Sequence, residues 1–358
     1  MQKIKVAVMY GGKSTEHEVS VHSAKDVCQI LEENSAKYEV LKIFISKEGL
    51  WYLQKQCSAQ ISAQDKRVSP FISKEANLAV FDGGKIKVDV FFPVLHGAMG
   101  EDGTMQGLFE ILNTAYVGCG VLTSAMAMNK EISKLMASFY GIPIVPYIKL
   151  KKTDKYDLPL LQQAVKQLGY PLFIKPVSLG SSIGVSRVEE ACQLEEALKQ
   201  AFKYDDTLLI EKGIDKAREV FCAVIGDYQG QVHTSLCGEL KTANNKFFDY
   251  EAKYNISGGC DMYIPAALDK TLQDKLRQAS YEIFKALQGN GLARVDFLIS
   301  QEGKFYFSEV NTLPGMSLTS LFPQLFKASG KEYPAVLDTL INSALERKTK
   351  KDSLSIDK

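Results

Sequence analysis

Residues 291–311 read GLARVDFLISQEGKFYFSEVN, and this stretch decides the fold. Side chains alternate across a strand, so Ala293, Val295, Phe297 and Ile299 would cover one face while Arg294 and Asp296 project from the other. A Ser-Gln-Glu-Gly turn then leads into a second run from Lys304 to Asn311. An antiparallel hairpin closed by that turn sets Arg294 opposite Glu309, with Asp296 diagonal to Glu309 and Asn311 one pleat on. Two carboxylates, an amide and a guanidinium then share one face. Hard oxygen donors, completed by water and phosphate oxygens, are how Mg²⁺ is usually held beside nucleotides. The same residues would also make a solvated hairpin edge with an ordinary Arg–Glu pair.

Upstream, Leu172-Phe-Ile-Lys175-Pro ends a strand and enters a loop of small residues, Ser181 and Ser182 among them, that closes at Gly184. Small residues free backbone N–H groups to face an anion, and Lys175 adds a point charge; alone, the loop reads equally well as a plain hairpin. The first strand, Ile4 to Met9, runs into Gly11-Gly12 and a helix start at Ser14-Thr15-Glu16, a Rossmann-like entry. Strand Val40 to Ile45 follows, then a broken stretch to about residue 87 that suggests no chemistry, then an apolar run from Val88 into the Gly-rich loop His96 to Gly103. The division expected is a substrate lobe over 1–122, a central α+β lobe over 123–213 opened by one helix from Thr123 to Tyr140, and a metal-bearing lobe over 214–345. The polar, Lys-rich stretch 346–358 is expected to fray.

Composition narrows the function. The chain has 358 residues, 46% of them hydrophobic, and its 43 Lys and Arg against 42 Asp and Glu leave a formal charge of +1. No global field draws nucleic acid or an anionic membrane, so small-molecule partners are expected. Seven cysteines without a C-x-x-C pair fit reduced thiols, and no apolar run is long enough for a signal region or a membrane span, so a cytoplasmic setting is expected. Gly12-Lys13-Ser14 imitates the end of a P-loop, but its first Gly would fall at Ala7, inside the strand. G-x-G-x-x-G is absent, which weakens a dinucleotide-dependent oxidoreductase, and the four histidines show no zinc spacing.

Taken together and in order, Lys175-Pro-x₄-Ser-Ser-x-Gly184, Leu209-Ile-Glu211-Lys-Gly-Ile214 and Arg294-Val-Asp296…Glu309-Val-Asn311 resemble the nucleotide site of the ATP-grasp superfamily. Within it, the stretches Gly11 to Ser20, His96-Gly97…Glu101-Asp-Gly103, Asp249 to Tyr254 and Asn311-Thr-Leu-Pro-Gly315 resemble the D-alanine–D-alanine ligases, from about residue 4 to about residue 345. The resemblance implies a three-lobed ATP-grasp fold, α/β and α+β, with a Rossmann-like N-terminal lobe.

It also implies roles. Lys130, Lys175, Ser182 and Lys253 would hold ATP phosphates, Glu211 and the backbone at Ile214 the adenine, and Glu219 the ribose. Asp296, Glu309 and Asn311 would bind two Mg²⁺ ions, with Mn²⁺ as a substitute. The first D-alanine would be phosphorylated on its carboxylate and then attacked by the amine of the second, with Arg294 and the Gly315 N–H stabilising the oxyanion. Glu16, linked through Ser181 to Tyr254, would take the first ammonium beside His96, and Ser320 with the Leu321 backbone the second carboxylate. Residues Glu239 to Tyr254 would close as a lid. A homodimer that feeds peptidoglycan synthesis is implied as well. The competing readings are a relative that forms an ester with D-lactate, a non-catalytic ATP sensor, and an oxidoreductase built on the first lobe.

Overall fold

The structure, a computed structural model, describes residues 2–154, 157–242 and 260–354. Strand β1 (Ile4–Gly11), helix α1 (His17–Glu33) and strand β2 (Tyr38–Ile45) form the opening βαβ unit, with β1 and β2 parallel. Val6 to Tyr10 are fully buried, as a parallel strand covered on both faces requires. The broken stretch 46–87 folds as β3 (Trp51–Gln54), β4 (Lys66–Pro70), β5 (Leu78–Val80) and β6 (Lys85–Ile86), antiparallel strands that extend one edge. With β7 (Val90–Pro93), α2 (Thr104–Ile111) and β8 (Ala115–Tyr116) they complete an eight-stranded sheet in the order β6-β5-β4-β3-β2-β1-β7-β8. The ends of β1 and β7, side by side, put Gly11-Gly12 and His96 at one crevice.

The single helix expected over 123–140 is two, α3 (Val121–Met128) and α4 (Lys130–Phe139). Asn129 breaks them: its backbone is extended at φ −81° and ψ 103°, and its side chain accepts the Ile132 N–H as the cap of α4. The break starts a fresh helix at Lys130, which governs the site below. The central sheet follows, with β9 (Tyr147–Lys151), α5 (Leu158–Leu168), β10 (Leu172–Pro176), β11 (Ser186–Val188), α6 (Leu194–Ala201) and β12 (Thr207–Lys212), in strand order β11-β10-β12-β9. Its core is aliphatic, with Leu172, Ile174, Leu208 and Ile210 from the sheet against Leu161, Val165, Leu194 and Leu198 from the helices.

The third sheet has the order β15-β14-β13-β16-β17. Its elements are β13 (Arg218–Gly226), β14 (Val232–Thr242), β15 (Cys260–Tyr263), α7 (Lys270–Ala286), β16 (Gly291–Ile299) and β17 (Phe305–Asn311). Ala293, Val295, Phe297 and Ile299 lie in its core as alternation demands. The register of the hairpin corrects the expected one. Near the turn Phe297 pairs with Phe307, but beyond a bulge Asp296 pairs with Glu309 and Arg294 with Asn311. Ser308 is the extra residue, and it explains why Phe305, Phe307 and Val310, spaced two and then three apart, all reach the same core. Truncating Phe297 or Phe307 to Ala would cost about 3–5 kcal/mol.

Helix α8 (Leu321–Ala328) and helix α9 (Tyr333–Asp352) end the fold. Val336, Leu337, Leu340, Ile341 and Ala344 of α9 return to the core of the first sheet beside Val21, Leu31 and Val90. The tail expected to fray from Glu346 is therefore helical to Asp352. Arg347 pins it, donating to Gly118 O at 2.8 Å and Tyr116 O at 2.7 Å and stacking over the Tyr116 ring at 4.2 Å.

Candidate active site

The bulged hairpin gathers its four polar residues on the face turned from the core. Arg294 donates from Nε and Nη2 to both oxygens of Asp296 at 2.7 Å each. Glu309, opposite Asp296, lies 3.5 Å from Lys130 Nζ, and Lys130 also donates to Leu179 O in the loop after β10. The first residue of α4 thus ties the acid of the third sheet to the small-residue loop of the second. Two carboxylates and the Asn311 amide make an all-oxygen donor set, which fits Mg²⁺ or Mn²⁺ and not a soft metal. No group of three or more His, Cys, Asp or Glu side chains able to hold a metal occurs among the described residues, so any metal here needs the amide, water or phosphate as well.

A second charge cluster sits beside it. Lys175, at the end of β10, donates to Glu211 Oε2 at 2.6 Å, and Lys134, one turn after Lys130 on α4, lies 3.1 Å from Glu211 Oε1. Glu211 is buried on β12; burial works against its ionised form, but Lys134 and Lys175 together hold its pKa down at about 2. Burial likewise opposes the charge of Lys175, yet Glu211, with Glu309 and Glu219 behind it, raises its pKa. Glu219 on β13 therefore shares this electrostatic neighbourhood, while Ile214 lies two residues past the end of β12. Lys134 escaped the sequence reading, because a lysine in an amphipathic helix is ordinarily solvated.

In the loop after β10, Ser181 and Ser182 adopt left-handed backbone angles, φ 53° and 57°. Ile183 N–H bonds Gly180 O at 3.1 Å and Val185 N–H bonds Ser182 O at 3.3 Å, so the loop is a pair of tight turns. Gly184, at φ 70°, cannot readily be replaced, since a Cβ there would meet Pro176 and Tyr204 at 2.9 Å.

Across the crevice Glu16 precedes α1, buried, and packs so close to Gly97 that a Cβ on that glycine would sit 3.1 Å from Glu16 Oε2. His96 is buried with Nδ1 3.0 Å from Leu313 O and 3.6 Å from Glu101 Oε1. Burial opposes its charge, but Glu101 and Glu16 outweigh that and raise its pKa. Burial in turn raises the Glu101 carboxyl, which the sequence showed in its motif without a role. His96 Nε2 is buried with no hydrogen-bond partner among the described residues, as suits an atom reserved for a ligand.

The bond from His96 to Leu313 joins the loop after β7 of the first sheet to the loop after β17 of the third. There Gly315 lies against Ser320, whose Oγ would be 2.9 Å from a Cβ at that position. Ser320 opens α8 in an extended conformation, and its Oγ accepts from Ser317 N at 3.2 Å rather than capping its own helix. The first amides of α8, from Leu321 on, have no intrahelical acceptor, an arrangement that favours a carboxylate. Lys253 and Tyr254, with residues 243–254 of the expected lid, lie outside the described residues. The structure thus brings Arg294, Asp296, Glu309, Asn311 and Lys130 into one group, Lys175 and Glu211 into a second, and Glu16 and His96 into a third that reaches the Gly315–Ser320 loop.

Comparison with known proteins gives a consistent picture. Family models described as "D-ala D-ala ligase N-terminus" and "D-ala D-ala ligase C-terminus" match residues 5–119 and 135–342. A D-alanine–D-alanine ligase of Thermoanaerobacter sp. (strain X514) is 41% identical, covering 98% of this chain and 99% of its own. The solved D-alanine–D-alanine ligase of Coxiella burnetii superposes with a TM-score of 0.86 at 32% identity, over 98% of this chain and 97% of that one. The VanG D-Ala:D-Ser ligase of Enterococcus faecalis superposes with a TM-score of 0.85 at 34% identity, over 96% of this chain and 100% of that one.

Proposed function

The chain belongs to the D-alanine–D-alanine ligase family, with the ATP-grasp fold of that family, and from this we propose how its residues perform the ligation. It is an ATP-dependent ligase that joins two D-alanines into D-alanyl-D-alanine through a D-alanyl phosphate, for peptidoglycan precursor synthesis. The observation that carries the residue-level reading is the shared face of Arg294, Asp296, Glu309 and Asn311, with Lys130 ion-paired to it.

In this reading Lys130, Lys175, Ser182 and Lys253 hold the phosphates, Glu211 and the Ile214 backbone the adenine, and Glu219 the ribose. Asp296, Glu309 and Asn311 would hold two Mg²⁺ ions, which would supply neutralisation of phosphate charge and polarisation of the transferred group. Glu16 takes the ammonium of the first D-alanine, and Nε2 of His96 faces its carboxylate. One carboxylate oxygen attacks the γ-phosphorus, and ADP leaves. The second D-alanine, its carboxylate held by Ser320 and the Leu321 N–H, attacks the acyl carbon as the free amine; the C–N bond forms, inorganic phosphate leaves and the nitrogen gives up a proton. Arg294 and the Gly315 N–H receive the charge that develops on the tetrahedral oxygen. Ser181 and Tyr254 complete the link from Glu16.

A cytoplasmic setting is supported by ATP as co-substrate and by free thiols at Cys28, Cys57, Cys119, Cys192, Cys222 and Cys237; no helix among the described residues is long and apolar enough to cross a membrane. A homodimer is supported by apolar side chains that α3, α4 and the turn after them leave exposed, Leu122, Leu135, Phe139 and Tyr140. The acceptor is tested by incubating the protein with ATP, Mg²⁺, D-alanine, D-lactate and D-serine together and identifying the products. D-alanyl-D-alanine is expected to dominate; a main product carrying lactate or serine at its C-terminus would overturn the reading.

A further inference from the structure

One buried charge has no part in the reaction just described. Lys134 is 1% exposed, and lysine is almost never closed off from water unless an anion offsets the lost hydration. That anion is Glu211, whose Oε1 lies 3.1 Å from Lys134 Nζ while Lys175 takes Oε2 at 2.6 Å. Two cations, one from α4 and one from β10, therefore flank the two oxygens of one carboxylate, Lys175 through a hydrogen bond and Lys134 through its charge. The same helix turn carries Lys130 to Glu309 at 3.5 Å, so α4 fixes both the phosphate end and the Glu211 end of the nucleotide cleft.

We propose that Lys134 is a positioning residue that holds Glu211 as an ionised acceptor, so that the pocket requires a purine with an exocyclic 6-amino group and refuses a 6-oxopurine. This rests on the reading that Glu211 faces the adenine. An ionised carboxylate only accepts hydrogen bonds, and Glu211 Oε1, with no hydrogen-bond partner among the described residues, keeps its lone pairs for a donor beyond Lys175, whereas a protonated carboxyl also donates. The 6-amino group of adenine supplies a donor. The 6-oxo group of inosine would set acceptor against acceptor in a buried site, where an unpaired polar atom is costly. Without Lys134 the carboxyl takes a proton more readily or swings wholly onto Lys175, and in both cases the demand for an amino group weakens. The low pKa of Glu211, held there against burial by the two lysines, agrees with this geometry.

The test measures kcat and KM for ATP and for inosine triphosphate at saturating D-alanine in the wild type, Lys134→Met and Glu211→Gln. Loss of a charge-assisted contact predicts that Lys134→Met raises the KM for ATP about ten- to a hundredfold and narrows the preference for ATP over inosine triphosphate by about tenfold. The kcat with ATP stays within about threefold, a barrier change too small for a lost catalytic group. Unchanged KM and unchanged preference in Lys134→Met would overturn the proposal, as would a fall in kcat at constant KM. Lost preference in Glu211→Gln with full preference in Lys134→Met would overturn the proposal alone and leave the adenine reading standing. Full preference in both variants would overturn that reading as well. Should Lys134→Met not fold, Lys134→Gln, nearly as long and uncharged, carries the same expectations and the same refutations.

Discussion

Glu211 is a carboxylate shut away from water between two ammonium groups, and its protonation is a stability switch. Its folded pKa of about 2 lies below the roughly 4.3 of a free glutamate, so its contribution is fully present above the unfolded value and lost as pH falls toward the folded one. The size at neutral pH is about 3 kcal/mol for the Glu211 side alone, and burial of Lys134, which lowers that lysine's pKa, takes part of it back. Urea unfolding of wild type and Glu211→Gln should therefore show a stability gap that is constant near neutrality and shrinks below about pH 4. A gap unchanged between about pH 6 and pH 3 would mean that Glu211 is not the titrating group. The sequence showed Glu211 through its motif, but nothing in it distinguished Lys134 from a solvated helix lysine; only burial separates the two.

Elements were legible where a period was unbroken. The alternation Ala293, Val295, Phe297, Ile299 gives the core face of β16 without ambiguity. The register of its partner was not legible, because a bulge residue such as Ser308 has no composition of its own; the expected pairing is displaced by two residues at Asp296. Side chains repeat every two residues, so that slip leaves the polar face intact. The split between α3 and α4 was missed for a similar reason: Asn129 reads as a tolerable helix residue until its side chain is seen to cap Ile132. The cap sets where Lys130 and Lys134 begin their helix. Asn129→Ala is expected to cost about 1 kcal/mol, and Asn129→Asp close to nothing. Equal denaturant midpoints for wild type and Asn129→Ala would show that the cap carries no stability.

Across the whole molecule single contacts tie the three sheets together, Lys130 to Glu309 and to Leu179 O and His96 to Leu313 O, and α9 returns to the first core so that the chain closes on its own beginning. This closure was the least legible feature, since the Lys-rich run after Glu346 looks like a solvated tail until Arg347 is found bonded to Gly118 and Tyr116. The apolar surface on α4 also belongs to this scale. Phe139 is 82% exposed, and a homodimer through this face predicts that Phe139→Asp elutes as a monomer in light scattering with its fold intact; an unchanged mass would place the contact elsewhere. The account as a whole depends on the cleft face of the hairpin. Its most direct test is dipeptide formation by Arg294→Met under saturating ATP, Mg²⁺ and D-alanine, with folding verified by circular dichroism. The account predicts turnover lower by roughly 10² to 10³, the cost of one lost oxyanion donor, and turnover equal to the wild type would contradict it.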